Sequence, residues 1–277
     1  MRSRTLKITF VGGGNMASAL IGGLLADLNA SFTIRVIEPL EAQRHSLTER
    51  WGMLEVYEAP VPAAFDSADV VVLAVKPQQM REVAHAISSL LGGQLVISVA
   101  AGIRSHDLSR WLGGHRRIVR TMPNTPALIG RGVTGLALLE PARTEDRGIA
   151  ECILGAVGEI VWVEDEHLLD AVTAVSGSGP AYVFRVMEAM EAAGVALGLD
   201  AEQARRLTIA TFVGAAELAS RSGESPSLLR ARVTSKGGTT AAALAVMEAR
   251  DLSGLFSEAL AAAARRGEEM GREFGAS

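Results

Sequence analysis

The stretch Phe10-Val-Gly-Gly-Gly-Asn-Met-Ala17 decides the fold of this chain. It completes a β-branched run, TLKITFV, and places Gly12, Gly14 and Ala17 in the spacing G-x-G-x-x-A. Small residues at this spacing allow a tight strand-to-helix turn and let the backbone approach a pyrophosphate at the helix N-terminus. A strand before the loop and a helix after it predict a dinucleotide-binding loop, and a glycine turn without a ligand is the alternative.

The first part of the chain, residues 1–164, repeats this strand-and-helix pattern. Short runs rich in β-branched residues alternate with longer amphipathic segments; the runs are TLKITFV, FTIRVIE, DVVVLAV, QLVISVA, RRIVRTM, VTGLALL and EIVWVE. The nearly continuous apolar character of these runs indicates strands covered on both faces, and helices between them favour a parallel sheet. We therefore predict a Rossmann-like, doubly wound α/β domain over residues 1–164.

The second part, residues 165–277, has a different periodicity. Segments such as YVFRVMEAMEAAGVALG and EQARRLTIATFVGAAELAS are rich in Ala, Leu, Met, Glu and Arg, with apolar residues three and four apart. This spacing predicts an all-α domain. Its helices are more apolar than a small bundle needs for its own core, so we expect a helical subunit interface and a homo-oligomer.

Charge and composition narrow the possible partners. The formal net charge is −4 and no apolar stretch reaches about 18 residues, so neither nucleic acid nor a membrane is an expected partner. The one cysteine, Cys152, has no partner for an intramolecular disulfide and is predicted to be a small buried residue of a helix, which fits a cytoplasmic protein. Metal-ligand spacings are missing from the sequence, so a metal-free site is expected.

The acid Glu38 ends the second predicted strand, 24 residues after Gly14. An acid at this place usually bonds the adenine-ribose hydroxyls, and its charge would repel a 2′-phosphate, which favours NADH over NADPH. Alternatively, Glu38 turns away at the head of a helix begun by Pro39. The choice between the two cofactors therefore stays open.

Further candidate residues follow other predicted strands. Ligands of open α/β sheets bind beyond the carboxyl ends of strands, which places Lys76 of the segment Ala74-Val-Lys-Pro-Gln78 near a cofactor ribose or phosphate. A solvated loop lysine is the alternative. Val99-Ala-Ala-Gly102 and Arg120-Thr-Met-Pro-Asn-Thr-Pro126 also end strands, and their small residues and prolines suggest a wall for a flat ring such as nicotinamide.

Five strings of the sequence together resemble one family. FVGGGNMASAL, AVKPQ, RTMPNTP, AVSGSGPAYVF and VTSKGGTTAAAL, in this order and spacing, are similar to those of Δ1-pyrroline-5-carboxylate reductases. The resemblance implies reduction of 1-pyrroline-5-carboxylate to L-proline by NADPH or NADH, with C-terminal helices that form a dimer and the substrate pocket. It also implies that the cofactor lies against Phe10, Val11, Gly12, Gly13, Gly14, Asn15, Met16, Ala74, Val75, Lys76, Pro77, Ala100, Ala101, Gly102 and Asn124.

The same resemblance assigns the substrate to the string VTSKGGTT, with Ser235, Gly237, Gly238, Thr239 and Thr240 as binding residues. Physical chemistry supports this assignment: the two glycines permit backbone angles closed to other residues, and a helix beginning near Thr239 offers free amides to a carboxylate. Thr240 is the candidate catalytic residue, placed at the ring nitrogen. Lys236 departs from the proline expected in many members and leaves the shape of the loop in doubt.

Several interpretations compete with this one. The chain could be a nonenzymatic dinucleotide-binding redox sensor, or a related imine or β-hydroxyacid reductase, although the latter would carry a lysine between Glu166 and Leu197 and none is present. Glu224 could reach the pocket, but capping or solvation is the commoner role of such an acid. The string SGSGP is interpreted as a loop between helices, with Pro180 in the first turn of the second helix.

Overall fold

The structure, a computed structural model, describes residues 5–27, 31–139 and 144–276. In these residues eight strands form one sheet in the order β3-β2-β1-β4-β5-β6-β7-β8. The strands are β1 (Leu6–Val11), β2 (Phe32–Ile37), β3 (Glu55–Tyr57), β4 (Val70–Leu73), β5 (Leu95–Ser98), β6 (Ile118–Met122), β7 (Gly132–Leu138) and β8 (Gly158–Trp162).

Helices connect and follow these strands. They are α1 (Asn15–Ala26), α2 (Glu41–Arg50), α3 (Pro62–Phe65), α4 (Pro77–Ile87), α5 (Ser105–Trp111), α6 (Thr144–Gly155), α7 (Leu168–Val172), α8 (Gly179–Ala196), α9 (Ala201–Ser222), α10 (Pro226–Arg232), α11 (Thr239–Ala249) and α12 (Leu252–Ala276). A π-helical turn occupies Thr173–Gly177, between α7 and α8. The Rossmann-like sheet followed by a helical region confirms the predicted fold class.

The sheet is covered on both faces, as the apolar runs predicted. Along β4, Val70 and Val72 belong to one buried cluster, whereas Val71 and Leu73 belong to another. Successive side chains of a strand point to opposite faces, so the two clusters are the two sides of the sheet. Leu20 of α1 lies in the first cluster and Met80 of α4 in the second, so these helices cover opposite faces of the sheet, in which β1 and β4 pair directly.

Two features of the sheet differ from the prediction. β7 runs antiparallel to β6, although the other pairs are parallel. Residues 123–131 between these strands are too few for a crossover, which needs a dozen or more, so the chain turns back through a 3₁₀ turn ending at Gly130. The edge strand β3 was not predicted, because three partly exposed residues give no apolar run.

The described contacts divide the chain into two compact units. One contains the residues up to 178 together with those from 262 onward, and the other contains Gly179–Ala261. The compact units therefore do not separate at the predicted boundary between residues 164 and 165. Asp170 of α7 pairs with Arg104 at 2.5 Å, and Gly271 of α12 lies against the Gly102 carbonyl, which attaches both helical segments to the sheet. Residues 165–277 remain a prediction as a functional domain.

Gly179–Ala261 has many large apolar side chains on its surface. α9 begins with a capping box between Asp200 and Gln203 and ends at Gly223, whose φ is 67°. Exposed side chains in this unit include Val183, Phe184, Met190, Leu197, Leu207, Val213, Leu218, Val246, Met247, Leu255 and Phe256. An apolar surface of this extent is typical of a protein interface. Even so, within the described part of the chain no helix is both long and apolar enough to span a bilayer.

Cys152 is exposed, so the prediction of a buried cysteine was wrong. The inward face of α6 is formed by Asp146, Ala150, Ile153 and Leu154, which recur at helical spacing. Cys152 falls on the opposite face of that helix.

Candidate functional site

The glycine-rich loop between β1 and α1 combines a tight turn with an open space. Gly12 is buried with φ of 98°, and a Cβ on it would lie 2.6 Å from the Ala74 carbonyl oxygen. Gly14 is exposed, and a Cβ on it would meet nothing within 4 Å. It is the N-cap of α1, which none of the described side chains caps. The loop thus leaves free space at a helix N-terminus, where a phosphate group fits.

Glu38 is turned onto this loop instead of outward. Its Oε2 accepts a hydrogen bond from the Gly13 amide at 2.9 Å, and its Oε1 accepts one from the Leu40 amide at 2.9 Å. The residue is 7% exposed. Gln43 holds the other side of Gly13 by donating to its carbonyl at 2.6 Å. The helix after β2 begins at Glu41, so Glu38 is not at the head of a helix begun by Pro39.

This geometry predicts how cofactor binding responds to Glu38→Gln. The side-chain amide nitrogen would face one of two backbone N–H donors, which removes a buried hydrogen bond at a cost of about 1–3 kcal/mol. Because the carboxylate shapes the loop, we expect affinity for NADH and NADPH to fall together by about tenfold or more. Titration of both cofactors by nucleotide fluorescence measures this. A change confined to NADH would instead mean that Glu38 reads the ribose.

The ends of β4 and β5 supply the neighbouring residues at the same edge of the sheet. Lys76 is exposed and is the N-cap of α4, with Pro77 in the first turn. Gly102 is buried with φ of 77°, and a Cβ on it would lie 3.0 Å from Met270 Cβ of α12. The final part of α12 therefore supports the loop after β5. The sequence carries a signal for this contact, because Gly267, Gly271 and Gly275 are spaced four residues apart and so share one face of α12. Along that face they lie against Asp170, Gly102 and Asp107, respectively.

The other predicted cofactor residues differ in what they can offer a ligand. Phe10 and Val11 are core residues, so only their backbones can face one. Asn15 is exposed, Ala100 is buried, and Met16, Ala74, Val75, Pro77 and Ala101 are half-buried.

Four charged side chains form a cluster behind the β5 and β6 ends; Arg120 and Asp170 are buried, and Arg104 and Glu166 are half-buried. Arg104 donates to Asp170 at 2.5 Å and Arg120 donates to Glu166 at 3.1 Å, while Glu166 also accepts from the Ser105 amide at 2.7 Å. Burial lowers the pKa of the Arg120 guanidinium, and the charge of Glu166 opposes this shift. The cluster was not predicted from the sequence, because its members are far apart along the chain and only Arg120 lies in a quoted string, RTMPNTP, where nothing indicates its partners.

The turn after β6 carries Asn124, which is 9% exposed. Its Oδ1 accepts from the Val133 amide at 2.9 Å and its Nδ2 donates to the Ser176 carbonyl at 3.2 Å. Ser176 belongs to the π-helical turn that precedes Gly179 and Pro180. Ser176 and Gly177 close this π-helical turn where a loop was predicted, whereas Gly179 and Pro180 begin α8, so Pro180 lies in the first turn of that helix as predicted.

In the other compact unit, the string VTSKGGTT ends in a bare helix start. Gly237 has φ of 73°, whereas Gly238 has an ordinary φ of −82°. Gly238 is required for space instead, because a Cβ on it would lie only 2.5 Å from Ser235 Oγ. Only one of the two glycines thus needs an unusual backbone angle. α11 begins at Thr239, as predicted, and no side chain in the described residues caps it. Ser235, Lys236 and Thr239 are exposed and Thr240 is half-buried.

Glu224 takes part in an ion pair. Its Oε2 lies 2.6 Å from Arg232 Nη1, at the end of α10. The N-cap of that helix is Ser225, so Glu224 is not its cap. In the described residues no group of three His, Cys, Asp or Glu side chains could hold a metal ion.

Comparisons with known proteins match both parts of the chain. A family model described as pyrroline-5-carboxylate reductase dimerisation matches residues 166–270, and one described as NADP oxidoreductase coenzyme F420-dependent matches residues 7–102. A pyrroline-5-carboxylate reductase from Pseudomonas aeruginosa is 46% identical over 98% of this chain and 99% of its own length. A relative of the same name from Haemophilus influenzae is 43% identical over 95% of this chain and 97% of its own.

Solved structures agree. A pyrroline-5-carboxylate reductase from Coxiella burnetii has a TM-score of 0.90 at 40% identity, covering 96% of this chain and 99% of its own. A pyrroline carboxylate reductase from Plasmodium falciparum, with NADP bound, has a TM-score of 0.84 at 28% identity. This similarity covers 98% of this chain and 99% of that one. Since the similarity spans both compact units at high identity, this chain belongs to the pyrroline-5-carboxylate reductase family.

Proposed function

We propose that this protein catalyses the NAD(P)H-dependent reduction of 1-pyrroline-5-carboxylate to L-proline. The observation that carries the proposal is 46% identity over 98% of the chain to a protein of that name. The geometry supports it, because one unit contains a glycine-rich loop with free space at a helix N-terminus and the other contains a helix N-terminus suited to a carboxylate. A nonenzymatic redox sensor would have no substrate carboxylate to bind, so it would not explain the helix N-terminus at Thr239, which none of the described side chains caps.

NAD(P)H fits the edge of the sheet formed by β1, β4, β5 and β6. The space at Gly14 accommodates a pyrophosphate against the first amides of α1. Lys76 would meet a ribose or phosphate, while Ala100, Ala101 and Gly102 would lie at the nicotinamide end. When bound, the cofactor supplies the hydride. Because the Glu38 carboxylate is bonded to two backbone amides, it gives no reason to exclude the 2′-phosphate of NADPH.

The substrate is a cyclic imine that carries one carboxylate. We assign the carboxylate to the amides of Gly238 and Thr239 and to the Ser235 hydroxyl, and the ring nitrogen to the Thr240 hydroxyl. A hydride adds to the imine carbon while the nitrogen carries a proton, so a hydroxyl beside the nitrogen orients the reacting bond. Correct positioning alone can contribute up to about 7–11 kcal/mol in favourable cases.

The match to a dimerisation domain supports a homo-oligomer, and we propose a dimer or an assembly built from dimers. The exposed apolar side chains of Gly179–Ala261 would form its interface. A cytoplasmic location and the absence of nucleic-acid partners remain predictions that rest on charge and the single cysteine.

A direct assay tests this function. Purified protein is mixed with 1-pyrroline-5-carboxylate, and the loss of NADH and of NADPH absorbance is followed in parallel. We expect rapid oxidation with L-proline as the product. If both cofactors bind and neither is consumed, the protein acts on another imine or senses dinucleotides, and the assigned substrate is wrong.

Thr240→Ala should lower turnover by about tenfold, the usual effect of losing one hydrogen bond to a charged group, with little change in cofactor affinity. Steady-state kinetics and NADPH titration measure the two quantities separately. The matched control is Thr211→Ala, which removes another helical threonine whose hydroxyl bonds only the Leu207 carbonyl in the described residues of α9. Unaltered turnover in Thr240→Ala would remove Thr240 from the mechanism.

A further inference from the structure

We infer that Asn124 is a positioning residue of this reductase: its buried carboxamide joins the turn after β6 to the π-helical turn Thr173–Gly177 and so holds the nicotinamide side of the site in place. The inference rests on the proposed function. The sequence predicted that Asn124 contacts the cofactor. The inference instead gives its side chain the role of binding two backbone groups of the protein itself.

The two partners of Asn124 determine its orientation. The Val133 amide can only donate, so it requires the side-chain oxygen, and the Ser176 carbonyl can only accept, so it requires the side-chain nitrogen. The residue is 9% exposed and both polar atoms of its side chain are engaged. Each atom keeps one further hydrogen-bonding position, a second N–H on Nδ2 and a second lone pair on Oδ1, so a ligand would share a carboxamide whose orientation the backbone already fixes.

The Ser176 carbonyl needs such a donor for a reason found in the sequence. In an α-helix it would accept from the amide of residue 180, which is Pro180 and has no N–H. The helix widens instead, since the Ser178 amide donates to the Thr173 carbonyl at 2.8 Å, five residues back. A carbonyl withdrawn from water without a partner is costly, and Asn124 supplies a partner to this half-buried carbonyl from the neighbouring strand end. Single π turns of this kind are frequent at functional sites.

A second contact joins the same two segments. A Cβ on Gly177 would overlap Met122 Cε, so the glycine allows the π turn to lie directly on the last residue of β6. The turn after β6 is thus held by a hydrogen bond at Asn124 and by packing at Met122. Because misplacement of the hydride donor by about 1 Å can cost roughly 100-fold in rate, loosening these contacts should act on the chemical step.

The test compares Asn124→Asp with Thr9→Val. Aspartate keeps the acceptor for Val133 but turns an acceptor toward the Ser176 carbonyl. Thr9→Val is the matched control, since it also removes a buried bond from a side chain to a backbone carbonyl, that of Ala64 at 2.6 Å, without touching the π turn. For each protein we would measure kcat, the NADPH dissociation constant, the isotope effect with 4-deuterated NADPH, and hydrogen exchange of peptides covering residues 168–182.

For Asn124→Asp we expect kcat to fall about tenfold, the isotope effect to rise, exchange at the π turn to accelerate, and NADPH affinity to stay within about twofold. Thr9→Val should leave the isotope effect and the exchange of this peptide unchanged. Weaker NADPH binding with an unchanged isotope effect would overturn the inference, because Asn124 would then be a cofactor ligand. Identical behaviour of the two variants would also overturn it, by making the role merely structural.

A second variant can report on the same junction. If Asn124→Asp does not fold, Asn124→Ser leaves a side chain too short to join both backbone partners; a raised isotope effect supports the inference and an unchanged one contradicts it. Hydrogen exchange does not require turnover. If the unaltered protein failed to reduce 1-pyrroline-5-carboxylate, the proposed function would fail, while exchange would still decide whether Asn124 holds the π turn.

Discussion

Replacing Gly12 with alanine is expected to lower the free energy of unfolding by about 2–6 kcal/mol and to abolish NAD(P)H binding. The residue has φ of 98°, a region that costs a side chain about 1–3 kcal/mol. The new Cβ would also lie 2.6 Å from the Ala74 carbonyl oxygen, a backbone atom that cannot rotate away as a side chain can. The ends of β1 and β4 would have to separate, and overpacking of this kind costs about 1–3 kcal/mol more.

Gly14→Ala is the matched control for this prediction. Gly14 has φ of −69°, and a Cβ there would meet nothing within 4 Å, so the folding free energy should change by less than about 0.5 kcal/mol. The methyl group would occupy the space assigned to the pyrophosphate, so NAD(P)H affinity should fall by about tenfold or more. Urea denaturation and nucleotide titration separate the two effects. Tight NAD(P)H binding by Gly14→Ala would show that the pyrophosphate does not lie over this loop.

Asp170→Asn should destabilise the protein by about 3–5 kcal/mol, the usual cost of removing one partner from a buried ion pair. Asp170 is 6% exposed at its side chain, and it faces Arg104 at 2.5 Å and Arg120 at 3.9 Å, whose side chains are 11% and 3% exposed. The substitution keeps the shape of the side chain and removes its charge, which leaves two buried guanidinium groups with Glu166 alone. The midpoint of urea denaturation gives the size of the effect.

Two controls make this prediction specific. Glu217→Gln breaks an ion pair with Arg221 whose side chains are 50% and 78% exposed, and exposed pairs contribute only about 0.2–1 kcal/mol. Combining Asp170→Leu with Arg104→Leu removes both buried charges, so it should recover part of the loss. If Asp170→Asn were as stable as Glu217→Gln, the charged cluster would contribute no more to the free energy of unfolding than an exposed ion pair does.

The strands and the glycine-rich loop could be predicted because their causes are local. A run such as Val70–Leu73 has no polar residue to expose, so it has to lie inside a sheet that is covered on both faces. β3 and the reversal of β7 could not be predicted in the same way. A three-residue edge strand has too short a pattern, and the direction of β7 depends on the length of the connection after Met122.

In the candidate site, too, features with a local cause could be predicted and features that depend on a distant partner could not. Gly12 and Gly237 were identified from the sequence because a positive φ leaves glycine as the natural choice, whereas Gly238 serves to admit a side-chain oxygen of its own loop. Glu38 was expected to face a ribose or to begin a helix, and the structure shows it bonded to Gly13 and Leu40. A carboxylate can accept from any nearby donor, so its position after a strand does not determine its partner.

By itself, the sequence determined the class of fold, the tight glycine-rich turn between β1 and α1, the helical character of the C-terminal part and the helix start at Thr239. Each depends on residues adjacent in the chain, whose spacing, size and backbone freedom act over one turn or one strand. The tertiary structure alone decided that Asn124 meets Ser176, that Arg104 and Arg120 meet Asp170, and that Gly271 brings α12 onto the loop after β5. These contacts join residues separated by dozens of positions, and they form only when the packed sheet has brought the strand ends and helices together.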